Sequence, residues 1–139
     1  MKKYWILSLV YAGLGLGLGV YYREFTKMMD FAGKTSLAVT HPHMLILGAL
    51  VMLLLSLYMK GREFEKPVLS KVMFYAYNIG LVWTVAMMVV RGTLTVLGTD
   101  LGSASAAISG IAGIGHIALG TGLILLVINV FHTKKIEEK

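Results

Sequence analysis

Cysteine is absent from this chain. Disulfides, thiolate metal sites, iron–sulfur clusters and cysteine nucleophiles are therefore all excluded. The absence carries no information about compartment. Charge is scarce too: Asp, Glu, Lys and Arg make up 14% of the 139 residues, and only seven are acidic. A soluble domain carries roughly 25% charged and about 45–50% apolar residues. This chain is 57% hydrophobic, with mean hydropathy +0.75. A domain of this size buries only about 60–70% of its unfolded surface. That excludes a soluble monomer and a disordered chain, and leaves a single integral membrane domain over residues 1–139.

Net charge is +6, but the basic residues are scattered between apolar runs. That pattern fits loops flanking membrane spans and excludes a nucleic-acid surface. Four apolar runs reach the length of about 20 residues needed to cross the hydrocarbon. They cover about residues 4–22, 37–59, 72–92 and 108–131. The first follows Lys2 and Lys3, as a signal peptide would, but it is longer than a usual signal core and has no clear A-x-A site. It reads as a retained helix. No series of short alternating segments suggests a barrel.

The first and third loops hold four basic residues, Arg23, Lys27, Lys34 and Arg91. The N-terminus, middle loop and C-terminal tail hold nine: Lys2, Lys3, Lys60, Arg62, Lys66, Lys71, Lys134, Lys135 and Lys139. The excess predicts both termini on the cytoplasmic side. Short loops between four spans predict an all-α, antiparallel four-helix bundle in the bilayer. In a simple up-down bundle the second and fourth helices are diagonal. The pairs Gly13/Gly17 and Gly15/Gly19 in the first span allow close helix approach. Asn78 is placed to hydrogen-bond between helices or to line a pathway, and packing is the commoner role.

The polar residues within the spans share one depth. From Lys60 back to His41 is 19 positions, and from Lys134 back to His116 is 18. From Lys71 to Arg91 and from Lys3 to Arg23 is 20 in each case. At 1.5 Å per residue, all four lie about 27–30 Å from the inner basic anchors. Polar groups at such depths are costly and commonly functional, although arginines near a boundary also snorkel. Ser109, Gly113, His116 and Gly120 recur on one helix face, a smooth groove holding one imidazole. His41, Leu45, Gly48 and Met52 form a comparable face. His41 and His43 point about 200° apart in a regular helix, unless Pro42 disturbs the turn.

Two imidazoles on opposite sides of a porphyrin make a six-coordinate b-type heme, since histidine is a common axial ligand to iron. The expected ligands are His41 and His116, with His43 nearby and Gly48, Gly113 and Gly120 giving room for the ring. Arg91 and Arg23 suit propionates, because guanidinium presents a fixed fork to carboxylates. The competing ligand is copper, which imidazole and the thioethers of Met44, Met87 and Met88 would favour. A third reading is an assembly module without a cofactor. All seven acids lie in loops or the tail, and no nucleophile–base–orienter set is legible, so no enzymatic activity is assigned.

Tyr21-Tyr22-Arg23-Glu24-Phe25, His41-Pro42-His43-Met44-Leu45, Tyr77-Asn78-Ile79-Gly80, Val90-Arg91-Gly92 and Ser109 to His116 resemble a family of small four-helix bacterial membrane proteins of unknown function. The resemblance covers nearly the whole chain and implies a multi-pass protein of the bacterial cytoplasmic membrane. His41-Pro42-His43-Met44-Leu45-Ile46 also resembles the histidine-bearing second helix of heme–copper oxidase and nitric-oxide reductase catalytic subunits. There the first histidine of a His-Thr-Asn segment ligates a low-spin heme. Only His41 carries over, because Pro42 and His43 stand where that family has threonine and asparagine. Those subunits hold twelve helices in three arcs of four, which by analogy implies a homotrimer of this chain. A redox partner would follow from a heme. The heme–copper centre itself has no counterpart here.

Overall fold

The computed structural model describes residues 2–100 and 102–136. Lys139, counted above among the basic residues of the tail, lies outside them. Four helices are present: α1 Lys2–Met28, α2 Leu37–Tyr58, α3 Pro67–Val96 and α4 Ala104–Phe131. All four are long and apolar enough to cross a membrane. The first, third and fourth run beyond the expected spans of 4–22, 72–92 and 108–131. A charged residue such as Arg23 or Arg91 ends an apolar run, but it does not break an i→i−4 ladder, which continues while its donors last.

Where helices stop, the backbone gives the reason. At the end of α3, Gly98 adopts φ +65°. Its N–H donates to the Thr95 carbonyl at 3.2 Å, and the Thr99 N–H to Leu94 at 3.1 Å. This is the Schellman arrangement, which pairs the last free carbonyls. Asp30 takes the same role after α1, with φ 48° and the Phe31 N–H on the Thr26 carbonyl. At the start of α3, Pro67 occupies a position whose N–H would have no partner anyway.

Three runs of contacts establish an antiparallel order. Gly19, Gly15 and Gly48 set α1 against α2, facing His41, Leu45 and Tyr11 respectively. Gly80, Gly115 and Gly122 set α3 against α4, facing Leu119, Thr84 and Tyr77. Gly92 sits against Leu37, while Thr35 Oγ1 and Ser36 Oγ donate to the carbonyls of Gly92 and Met88 at 2.9 and 2.8 Å. These contacts clamp the start of α2 onto α3.

The result departs from the simple up-down bundle. α1/α2 and α3/α4 are two tight pairs, and α2 and α3 meet across the centre. Among the described residues, no side-chain hydrogen bond links α1 to α4, so these two are the outer corners. α1 reaches α3 through longer side chains. Tyr11 Oη donates to Asn78 Oδ1 at 2.6 Å, Asn78 Nδ2 donates to the Phe74 carbonyl, and Tyr21 bonds Thr93. α2 and α4 are consequently neighbours along a seam instead of partners across a diagonal. The close pairing through glycine has a physical cause. Lipid removes most of the hydrophobic drive between helices, leaving van der Waals contact and hydrogen bonds to hold them. The outward faces are apolar, with Leu16, Leu57, Ile79 and Ile117 all exposed.

α2 is not uniform. From His43 to Leu50 it winds as a π-helix. Pro42, just before, has no N–H to give the ladder, and the turns widen directly after it. Two outside donors hold the widened stretch. Tyr77 Oη on α3 donates to the Leu47 carbonyl at 2.8 Å, and Ser8 Oγ on α1 to the Ala49 carbonyl at 2.8 Å.

At the basic end, β1 Arg62–Phe64 pairs antiparallel with β2 Thr133–Lys135, setting Arg62 opposite Lys135 and Phe64 opposite Thr133. Three-residue strands are too short to show alternation in a sequence, so this small sheet was not foreseeable. Lys134 Nζ lies 3.2 Å from Glu63 Oε1 across it, both side chains well exposed. Exposed pairs of this kind contribute about 0–1 kcal/mol. Lys134→Ala is therefore expected to leave the thermal unfolding midpoint in detergent almost unchanged. A large drop would mean that the sheet carries more of the fold than the helices do.

Candidate functional site

α4 uses its glycines on two faces. Gly115 and Gly122 face α3 with no space to spare. At Gly113 and Gly120, by contrast, an added Cβ would meet nothing within 4 Å. His116 stands on this second, open side and is exposed. Its Nδ1–H donates to the Ala112 carbonyl at 3.1 Å. That bond fixes the tautomer and leaves the Nε2 lone pair free, the arrangement in which histidine usually binds metals.

The face carrying His116 runs down to the α2/α4 seam. Leu123 lies seven positions further on, two turns along the same face. With Leu126 and Val130 it lines a groove of about 290 Å³, whose opposite wall is Val51, Leu54 and Tyr58 of α2. Tyr58 Oη donates to the Val130 carbonyl at 3.0 Å and ties the two helices level at the basic end.

The three residues of the His41-Pro42-His43 segment do not act together. His41 is half-buried against α1, its Cβ and Cγ 3.7 Å from where a Gly19 Cβ would stand. Its Nδ1 is buried without a hydrogen-bond partner. The face His41–Leu45–Gly48, expected as a groove, is filled by α1: Leu45 covers Gly15, and Tyr11 covers Gly48. His43 leaves α2 on the other side, beside Val39, Pro42, Ile46 and Leu47. Its Nδ1–H donates to the Val39 carbonyl at 2.7 Å, so its Nε2 is also free.

The two arginines part in the same way. Arg91 on α3 reaches over to α4, where its NH1 donates to Ser109 Oγ at 3.2 Å. Ser109 lies seven positions before His116, about 10 Å along the same face. Arg23 is exposed on α1 with its Nε 3.6 Å from Glu24 Oε1, on the outer corner away from α4. The expected site residues thus do not all gather in one place. His116, Gly113 and Gly120 lie on the open face of α4, onto which Arg91 reaches, and His43 lies on α2 among Val39, Pro42, Ile46 and Leu47. His41 and Gly48 belong to the α1/α2 contact, and Arg23 stands exposed on α1.

Together His116, Gly113, Gly120, Arg91 and His43 offer two imidazoles, a small-residue wall and a cation. Among the described residues, no three His, Asp or Glu side chains form a group able to hold a bare metal ion. Met44 is buried in the core, away from the seam. Residue order placed His43 about 200° from His41; it could not reveal the π-helical stretch that follows, of which Pro42 was the signal.

The family described as Protein of unknown function (DUF2871) matches residues 1–133. No curated protein and no solved structure matches the chain. The likeness to heme–copper oxidases therefore rests on the six residues from His41 to Ile46 alone.

Proposed function

The chain belongs to the DUF2871 family, and we propose that it is a b-type heme-binding protein of the bacterial cytoplasmic membrane, used for electron transfer, heme handling or sensing. One observation carries this reading. The Nε2 of His116 is free, its Nδ1–H is tied to Ala112, and Gly113 and Gly120 leave open space on either side of it. A flat macrocycle fits such a wall, and a bulky neighbour at either glycine would block it.

The residues divide the work. His116 would supply one imidazole to the iron, and the segment His41–His43 would supply the second. Arg91, already turned onto the His116 face through Ser109, would hold propionate carboxylates. Bound heme would supply one-electron chemistry to the membrane. The seam is open outward, so a second copy of the chain is the cover we expect, with a trimer the arrangement suggested by analogy. Both termini lie on the cytoplasmic side by the distribution of basic residues.

A visible spectrum of the purified, heme-supplemented protein tests the proposal. A Soret band and split reduced α/β bands are expected, with His116→Ala abolishing the six-coordinate form. A protein that takes up no heme overturns it. Stoichiometric copper without porphyrin absorbance would establish the metal-ion reading instead, and no cofactor at all would leave an assembly module.

A further inference from the structure

We infer that the second imidazole of this site is His43, and that His41 is a packing residue of the α1/α2 contact. The inference rests on the heme reading above and assigns the ligand that reading left open between two histidines. Three observations carry it.

The first is side. α1 covers the face of α2 that holds His41, Leu45 and Gly48, from Gly19 down to Tyr11. His43 is two residues on, which turns it about 200° away. From there the π-helical stretch takes more than four residues per turn. Residues four apart therefore stay nearly in line, and His43, Leu47 and Val51 form one stripe. Val51 is a wall of the α2/α4 groove. On α4 the matching stripe is His116, Gly120 and Leu123.

The second is level. Tyr58 and Val130 are tied by a hydrogen bond. His43 precedes Tyr58 by 15 positions (58 − 43) and His116 precedes Val130 by 14 (130 − 116). At about 1.5 Å per α-helical residue His116 stands about 21 Å above that tie, and His43, one position further off but with the residues from His43 to Leu50 in the more compact π-helical turns, stands at a comparable height. Two parallel helices thus bring one imidazole each to the same height on the same seam.

The third is orientation of the rings. His43 and His116 are held alike, each donating Nδ1–H to the carbonyl four residues before it. Each therefore leaves Nε2 as the free donor atom, as an axial ligand must. His41 has the opposite arrangement: its Nδ1 is buried and unpartnered. No helix carbonyl fixes its tautomer.

Purified, heme-supplemented protein tests this by spectroscopy. His43→Ala is expected to lose the low-spin, six-coordinate signature as fully as His116→Ala, and added imidazole is expected to restore it. Restoration separates a lost ligand from a lost fold. His41→Ala is expected to keep the low-spin spectrum. A low-spin spectrum that survives His43→Ala but not His41→Ala overturns the inference and leaves the heme reading standing.

A cofactor-free arm uses the absence of native cysteine. His43→Cys with His116→Cys is expected to cross-link within one chain with a short bis-maleimide, at least tenfold faster than His41→Cys with His116→Cys. Equal or reversed rates overturn the placement even where heme is bound. Wild-type protein without any heme overturns both readings together.

Discussion

Gly122→Ala and Gly80→Ala should each force α3 and α4 apart. At both positions an added Cβ falls on backbone: on Tyr77 N and Cα at Gly122, and on Leu119 N and Cα at Gly80. Backbone cannot rotate aside as a side chain can. The methyl is accommodated only if the helices separate, and separation forfeits the dispersion contacts that hold this pair in lipid. Overpacking of this kind costs about 1–3 kcal/mol per site, and the double variant is expected to be worse than either alone because the two sites share one interface. Gly13→Ala and Gly17→Ala are the controls, since nothing lies within 4 Å of a Cβ at either. Unfolding midpoints in mixed micelles provide the measurement. Equal behaviour of Gly122→Ala and Gly17→Ala would mean that α3 and α4 do not pack as described.

The next largest effect is expected at Tyr77. It is fully buried, and its hydroxyl donates to the Leu47 carbonyl in the middle of the π-helical stretch. Tyr77→Phe keeps the ring and removes only that donor. A buried carbonyl left short of a partner costs about 1–3 kcal/mol, whereas hydrogen bonds between membrane helices average about 0.6 and reach about 1.7. We expect about 1–2 kcal/mol, toward the upper membrane figure, because the widened turns depend on outside donors. Ser8→Ala removes the other donor, at Ala49. Together the two substitutions are expected to cost more than their sum, as the stretch relaxes toward α-helical turns and carries His43 round the helix. Strict additivity in a double-mutant cycle would show that the two donors do not act on one element.

Much of this architecture was already legible in the residues. Glycines in the first span announced close helix approach, and Asn78 announced an interhelical hydrogen bond; both are found. The glycine partners were another matter. Gly15 and Gly19 meet α2, but Gly13 and Gly17 face outward, because a glycine marks a possible contact and not the helix that makes it. The candidate site was visible as a depth and not as a place. Counting from basic anchors put His41, His116, Arg91 and Arg23 at one level, and level is a property of single helices. Which of them share a side depends on how the helices are arranged around each other, and there Arg23 and His41 separate from the rest.

Composition and run length, by themselves, determined that this protein is helical and built for a bilayer. Backbone groups in hydrocarbon must be satisfied within each segment, and that constraint is local enough to read residue by residue. Only the tertiary structure decided that α2 and α3 meet at the centre, that α2 and α4 share a groove at the basic end, and that His41 packs against α1. Those outcomes depend on non-local fits, a glycine against a facing backbone and a tyrosine hydroxyl against a carbonyl thirty residues away. No periodicity within one helix encodes them.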